Sequence, residues 1–226
     1  MLFTNKRGYY DMQIKVHDNI LVQKNECKFL GIMIDSQLNW KSHINYISSK
    51  ISKNIAILKF LKFTFPKEIL KTLYLSLVLP YFNYCNIVWG AADKSLLEPL
   101  VVLQKKSLRV INKANYLDHT DPLFLEMKLM KLCQIYKLNC LLFIYKCINM
   151  KQFVKFKNRL VRVTDIHNHY VRSGNQFRPP ACRLKKVRQS YFYNGIILWN
   201  ELDPEVYDCK TIYSFKRAIK EDFFVF

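Results

Sequence analysis

Residues 27–44, CKFLGIMIDSQLNWKSHI, hold the transition that decides the fold of this 226-residue chain. The run KFLGIMI (28–34) is β-leaning and stops at Asp35. From Trp40 the period becomes helical. Ile44, Ile47, Ile51, Ile55, Leu58 and Leu61 recur at steps of three and four, with Lys50, Lys53, Lys59 and Lys62 between them. One stripe of this helix is therefore expected to be buried and the other solvated.

Working back from Asp35, the β-leaning runs MLFT, MQIKVH and ILVQ are broken by NKRG, DN and KNEC, which predicts a small antiparallel ribbon. So short a ribbon needs helices or a further sheet to lie against. Working forward, Pro66 suits the first turn of a second helix, PKEILKTLYLSLVLP, with Ile69, Leu70, Leu73 and Leu77 inward. Ser95 or Asp93 caps a third, LLEPLVVLQKKSLRVINK, with Leu97, Val101, Leu108 and Ile111 on one side. Asp121 and Pro122 open a stretch running to about Met150 and broken near Met130, in which Cys133, Cys140 and Cys147 are expected as core residues. Near the C-terminus TIYSFKRAIKEDFF places Phe215, Ile219 and Phe223 on one face. Five glycines argue against a many-turned β architecture, so the fold class is mainly α with a small N-terminal antiparallel ribbon.

Lysine and arginine number 36 against 17 acids, a formal charge of +19. That balance predicts a polyanionic partner, first nucleic acid and second an anionic membrane surface. Two basic groups are candidates. Lys105, Arg109 and Lys113 stand at i, i+4 and i+8 of the third helix, either a phosphate-facing ladder or an ordinary solvated face. Arg183, Lys185, Lys186 and Arg188 lie in residues 151–190, which carry eleven basic residues and the single acid Asp165. Tyr170, Phe177, Tyr191, Phe192 and Tyr193 are in or beside that stretch, and cations beside aromatic faces suit single-stranded nucleic acid. The alternative is a basic linker that only tethers two parts of the chain.

Catalytic signatures are sparse. There is no Asp-Asp pair, no GxSxG, no HExxH and no GxxxxGK[ST], and Glu221 and Asp222 are neighbours in a helix whose side chains diverge. Asp35 is read as a turn former rather than a metal ligand. Seven cysteines without a CxxC fit reduced thiols in a nuclear or cytoplasmic protein, and the first residues lack a signal-peptide core, so secretion is not expected. His167, His169 and Cys182 form the sharpest metal candidate, with solvent-facing histidines as the alternative. TLYLSLVLPYFNYCNIVWGAA (72–92) is uncharged and long enough to cross a bilayer. Pro80, Asn83 and Asn86 near its centre make a buried helix stopped near Pro80 the better expectation.

Four segments carry a family likeness. FLGIMID with LNWKSHI, LYLSLVLPYFNYCNIVWGA, LQKKSLRVI and YNGIILWNELDPEV resemble, in this order, the C-terminal part of non-LTR retrotransposon reverse transcriptases of the jockey-like kind. The resemblance implies that residues 1–40 are the end of a palm, with Phe29, Leu30 and Gly31 in its primer-grip strand. It implies that 41–150 are a helical thumb, 151–190 a basic linker or arm and 191–226 a C-terminal helical segment. The implied partners are RNA and DNA in a template–primer duplex. The family's catalytic aspartates, and the Mg²⁺ they hold, lie upstream of the matching strand. No catalytic residue or cofactor is therefore expected in this chain, Met1 corresponds to an internal methionine of a longer frame, and polymerisation by the chain alone is not expected. Pro99 departs from the uninterrupted third helix of the family. A stand-alone basic helical nucleic-acid-binding or adaptor protein is the alternative reading, and a membrane-associated protein using 72–92 a weaker one.

Overall fold

The computed structural model describes residues 1, 3, 14–17, 19–165 and 176–224. Two antiparallel hairpins open the described chain: β1 (Ile14–Val16) with β2 (Asn19–Leu21), and β3 (Glu26–Phe29) with β4 (Ile32–Asp35). KFLGIMI is thus two strands, not one. Leu30 (φ 45°) and Gly31 (φ 83°) both adopt left-handed backbone, the two-residue turn that matches the twist of a hairpin and pairs Phe29 with Ile32. Leu2 and Thr4 of MLFT, and Met12 and Gln13 of MQIKVH, lie outside the described residues.

A polar turn then delivers the chain into α1 (Lys41–Leu61). The Asp35 carboxylate accepts from the backbone N–H of Gln37 (3.1 Å), Asn39 (3.0 Å) and Trp40 (2.9 Å), so Asp35 is the turn former expected. Ile44, Ile47, Ile51, Ile55 and Leu58 are buried as their spacing requires, each worth about 2 kcal/mol of burial.

Next come α2 (Lys67–Leu77), α3 (Leu79–Asn83) and α4 (Asn86–Trp89). The break at Val78 puts Pro80 in the first turn of α3, where its missing N–H leaves no helical bond unmade. No helix among the described residues is long and apolar enough to cross a membrane. Tyr74, fully buried, takes the inward place expected of Ile69, which is 43% exposed.

In α5 (Lys94–Ile111), the side chain of Asp93 makes no cap to the helix, and Pro99 is accommodated without ending it. Gln104 is buried there: its Nε2 donates to Met130 O (3.0 Å) and the Tyr74 hydroxyl (3.3 Å), while its Oε1 accepts from Leu132 N (2.9 Å). That one side chain satisfies backbone groups exactly where the chain breaks between α6 (Asp121–Glu126) and α7 (Leu132–Asn149). Helix α7 is common to two apolar clusters. Its start, to Ile135, joins the α1–α6 core, and Leu138, Leu141, Ile144 and Tyr145 join a second core with α10 (Tyr191–Asn200) and α12 (Ile212–Asp222). Cys140 and Cys147 are core residues, and burial pushes the Cys140 thiol up to about 12. Cys133, expected beside them, is exposed, because it falls on the outer side of α7's first turn.

Between α7 and α10 lie the short helices α8 (Val154–Lys157) and α9 (Lys185–Arg188); α11 (Pro204–Tyr207) precedes α12. Here three of the aromatic residues expected as stacking faces are structural. Phe177 and Phe192 are buried, and Tyr191 packs edge-on to Phe143 with centroids 4.9 Å apart. Trp199 stacks between Tyr207 (5.3 Å) and Phe215 (5.6 Å). Gly195 lets α10 approach α7 closely, since a Cβ there would lie 2.8 Å from Ile144 Cγ1.

Candidate nucleic-acid interface

Two of the sequence segments singled out above meet at the β3–β4 tip. The Tyr84 hydroxyl, in the loop between α3 and α4, donates to Leu30 O (2.6 Å), and the Trp89 indole N–H donates to Tyr84 O (3.0 Å). Phe29 stays 61% and Leu30 74% exposed at the tip. Phe29 therefore ends a strand while Leu30 and Gly31 form its turn, so the three residues expected in one strand are instead a protruding corner. Beneath the corner is a pocket of about 310 Å³ lined by Gly31, His43, Tyr46, Tyr81 and Tyr84. Lys28 and Lys50 bring their ammonium groups 5.1 and 5.8 Å from the centre of the Tyr46 ring. Two cations at one tyrosine ring beside an apolar hollow are chemically suited to phosphate and base together.

His43 forms the wall of this pocket and is buried. Its Nδ1 accepts from Met33 N (3.4 Å), which places the proton of the neutral ring on Nε2, and the ring meets Trp89 edge-on at 5.7 Å. Burial holds its pKa below the ordinary 6.5. The folded chain thus binds this proton more weakly than the unfolded chain, so the contribution is fully present above pH 6.5 and is lost progressively below it. Urea unfolding at pH 7.5 and 5.5 is expected to show a loss of stability in the wild type that His43→Asn diminishes; an equal loss in both would assign it to other groups.

The cations singled out by spacing do not form one surface. Lys105 and Arg109 lie on α5, but Lys113 is beyond its end in a left-handed conformation (φ 53°). Arg109 donates from Nε (3.0 Å) and Nη2 (2.9 Å) to Asp118 O and so pins the loop after α5. Lys185 pairs with Asp93 (2.6 Å) and helps hold that carboxyl below its ordinary pKa. Lys186 donates to the carbonyls of Gln37 and Leu38 and to Asn39 Oδ1, and Arg188 to Cys182 O. Lys113 and Arg183 are exposed and form no ion pair among the described residues. His167, His169, Tyr170 and Arg172 lie outside the described residues.

The surface that spacing alone missed is the outer side of α1. Lys41, Lys50, Lys53 and Lys59 are exposed along it, and no Asp or Glu occurs between Asp35 and Glu68. That acid-free interval is visible in the sequence and separates this helix from α5, whose lysines share their helix with Glu98. The N-terminal end of α1 supplies His43, Tyr46 and Ile47 to the pocket under the β3–β4 tip, and Lys50 lies near the Tyr46 ring.

Over 106 residues, 46% of its length, the chain is 28% identical to a protein described as "Probable RNA-directed DNA polymerase from transposon BS" of Drosophila melanogaster. It is 27% identical over 135 residues, 58% of its length, to "RNA-directed DNA polymerase from mobile element jockey" of Drosophila melanogaster, and 26% identical over 122 residues to the jockey protein of Drosophila funebris. The matches take in 12%, 14% and 13% of those proteins, so the chain spans a small part of each. No family model matches the chain, and no solved structure does. Over about half its length, then, the chain is similar to retrotransposon RNA-directed DNA polymerases.

Proposed function

We propose that this chain holds template–primer nucleic acid for a retroelement RNA-directed DNA polymerase, with α1 and the β3–β4 tip as the contact surface. The observation that carries this reading is the acid-free interval from Ser36 to Lys67, with Lys41, Lys50, Lys53 and Lys59 exposed on one helix. Each lysine that neutralises a phosphate releases a counterion, which yields affinity without sequence selectivity. The polymerases to which the chain is similar handle RNA and DNA by name, and a positive, base-tolerant surface suits that role. The lysines of α9 contribute less, since Lys185 and Lys186 are engaged within the fold.

Titration of the purified chain with a labelled RNA–DNA hybrid across a salt series tests this. The expected result is a steep fall of log K with log salt, and for Lys50→Gln/Lys53→Gln an affinity about tenfold lower with the slope reduced by about two. Arg183→Gln is expected to leave the affinity within about a factor of three. If Arg183→Gln takes the larger loss, the 151–190 stretch is the binder; if the wild type shows no salt-dependent binding, the proposal fails.

A further inference from the structure

The far end of α1 carries two rings that the fold leaves in water. Phe60, in the last turn of α1, is 82% exposed, and Phe63, in the turn just past the helix end, is 78% exposed. The Lys62 ammonium sits 4.5 Å from the centre of the Phe63 ring, and Lys59 precedes them in the last turn of α1. Phe29, Tyr84, Tyr116 and Tyr213 are exposed as well, while Trp89, Tyr74, Phe82 and Phe215 are fully enclosed; Phe60 and Phe63 differ in standing three residues apart with a lysine beside each. Two exposed rings flanked by lysines, one of which already lies against Phe63, in an interval without an acid, suit an occupant that is both planar and anionic.

We propose that Phe60 and Phe63 are a stacking platform for unpaired nucleotides of the polynucleotide that α1 holds. The inference rests on the nucleic-acid reading above and narrows it to a form of nucleic acid. Within a duplex the base faces are covered by their neighbours, so an exposed ring has nothing to stack on; in a single strand each base offers a free face. Lys59 and Lys62 stand where they neutralise the phosphates of the stacked nucleotides. About seventeen residues of helix separate Phe60 from His43, a distance of about 25 Å. The platform and the tyrosine pocket therefore touch different stretches of one strand. An acidic protein helix would satisfy the charge but not the stacking, and a lipid surface would accept the rings in any orientation.

The test compares wild type with Phe60→Ala/Phe63→Ala, whose truncated side chains are exposed and leave the core intact. The probes are a labelled uridine oligonucleotide, a blunt RNA–DNA hybrid and vesicles containing phosphatidylserine. The double variant is expected to bind the oligonucleotide about tenfold to a hundredfold more weakly, with its salt slope unchanged, and the blunt hybrid as before. Equal oligonucleotide binding by both chains overturns the platform and leaves the duplex reading standing. Loss of vesicle binding with oligonucleotide binding retained assigns the rings to lipid and also overturns it. A wild type that binds neither oligonucleotide nor hybrid overturns both readings.

Discussion

Replacing Gly90 with alanine is expected to lower the stability of the chain by about 3 kcal/mol. Gly90 is buried at the end of α4, and its N–H donates to Asn86 O (2.6 Å). A Cβ there would stand 2.5 Å from that same carbonyl oxygen and 2.6 Å from Tyr136 Cδ2 on α7. Neither neighbour can give way easily. The carbonyl is fixed by the turn, and the Tyr136 hydroxyl accepts from Asn194 Nδ2 (2.9 Å) on α10, so moving the ring disturbs the packing of α10 on α7. Overpacking of this kind costs about 1–3 kcal/mol, and a buried hydrogen bond broken with it about 1 kcal/mol more. For a chain of this size the melting temperature should fall by about 10 °C. Gly195→Ala is the milder comparison, because its added Cβ meets an isoleucine side chain rather than backbone. Urea unfolding of both variants decides the matter: a loss below about 1 kcal/mol for Gly90→Ala would mean that α4 yields freely.

The contrast between α1 and the β3–β4 hairpin shows where the sequence speaks and where it is silent. The α1 stripe was legible because five buried positions recur with helical spacing and no proline interrupts them. The stop before Pro80 and the start at Asp121 and Pro122 were legible because proline restricts backbone chemistry locally. The hairpin was not, because Leu30 is an unusual choice for a left-handed turn position. That conformation is supported by Tyr84, fifty-four residues away, whose hydroxyl bonds Leu30 O. In the candidate interface, positive charge could be counted from the sequence but its use could not. Lys186 looks like a phosphate contact until its three intramolecular acceptors are seen, and Phe177 and Phe192 look like stacking faces until they are found in a core. A basic segment with aromatic residues has the same composition whether it faces a nucleic acid or folds back on its own chain.

Folding back of that kind makes the strand-to-helix junction the second place where a single substitution should be felt strongly. The turn Gln37–Asn39 is held on one side by the Asp35 carboxylate, which accepts three backbone N–H groups, and on the other by the Lys186 ammonium, which takes two carbonyls and Asn39 Oδ1. Leu38 within it is in left-handed backbone (φ 53°), and so is Trp40 (φ 65°), conformations that non-glycine residues adopt only when held. Charge-assisted bonds to backbone contribute about 1.5–3 kcal/mol where they are sheltered and less in water; here the bonds to Trp40 N and Leu38 O are half-buried and the others exposed, so Asp35→Ala is expected to cost about 1–2 kcal/mol and Lys186→Ala about 1 kcal/mol. Asp35→Asn should fall between wild type and alanine, since it keeps one acceptor and loses the charge. The two side chains share a turn without touching each other. Removing either one lets the turn relax, and the other then has less to lose. The double variant should accordingly be less destabilised than the sum of the single variants by about 0.5–1 kcal/mol. Hydrogen exchange at residues 37–42 should accelerate in each single variant while the buried face of α1 stays protected. Strictly additive losses, with exchange at the turn unchanged in Lys186→Ala, would show that α9 merely rests against the junction and that Asp35 holds it alone.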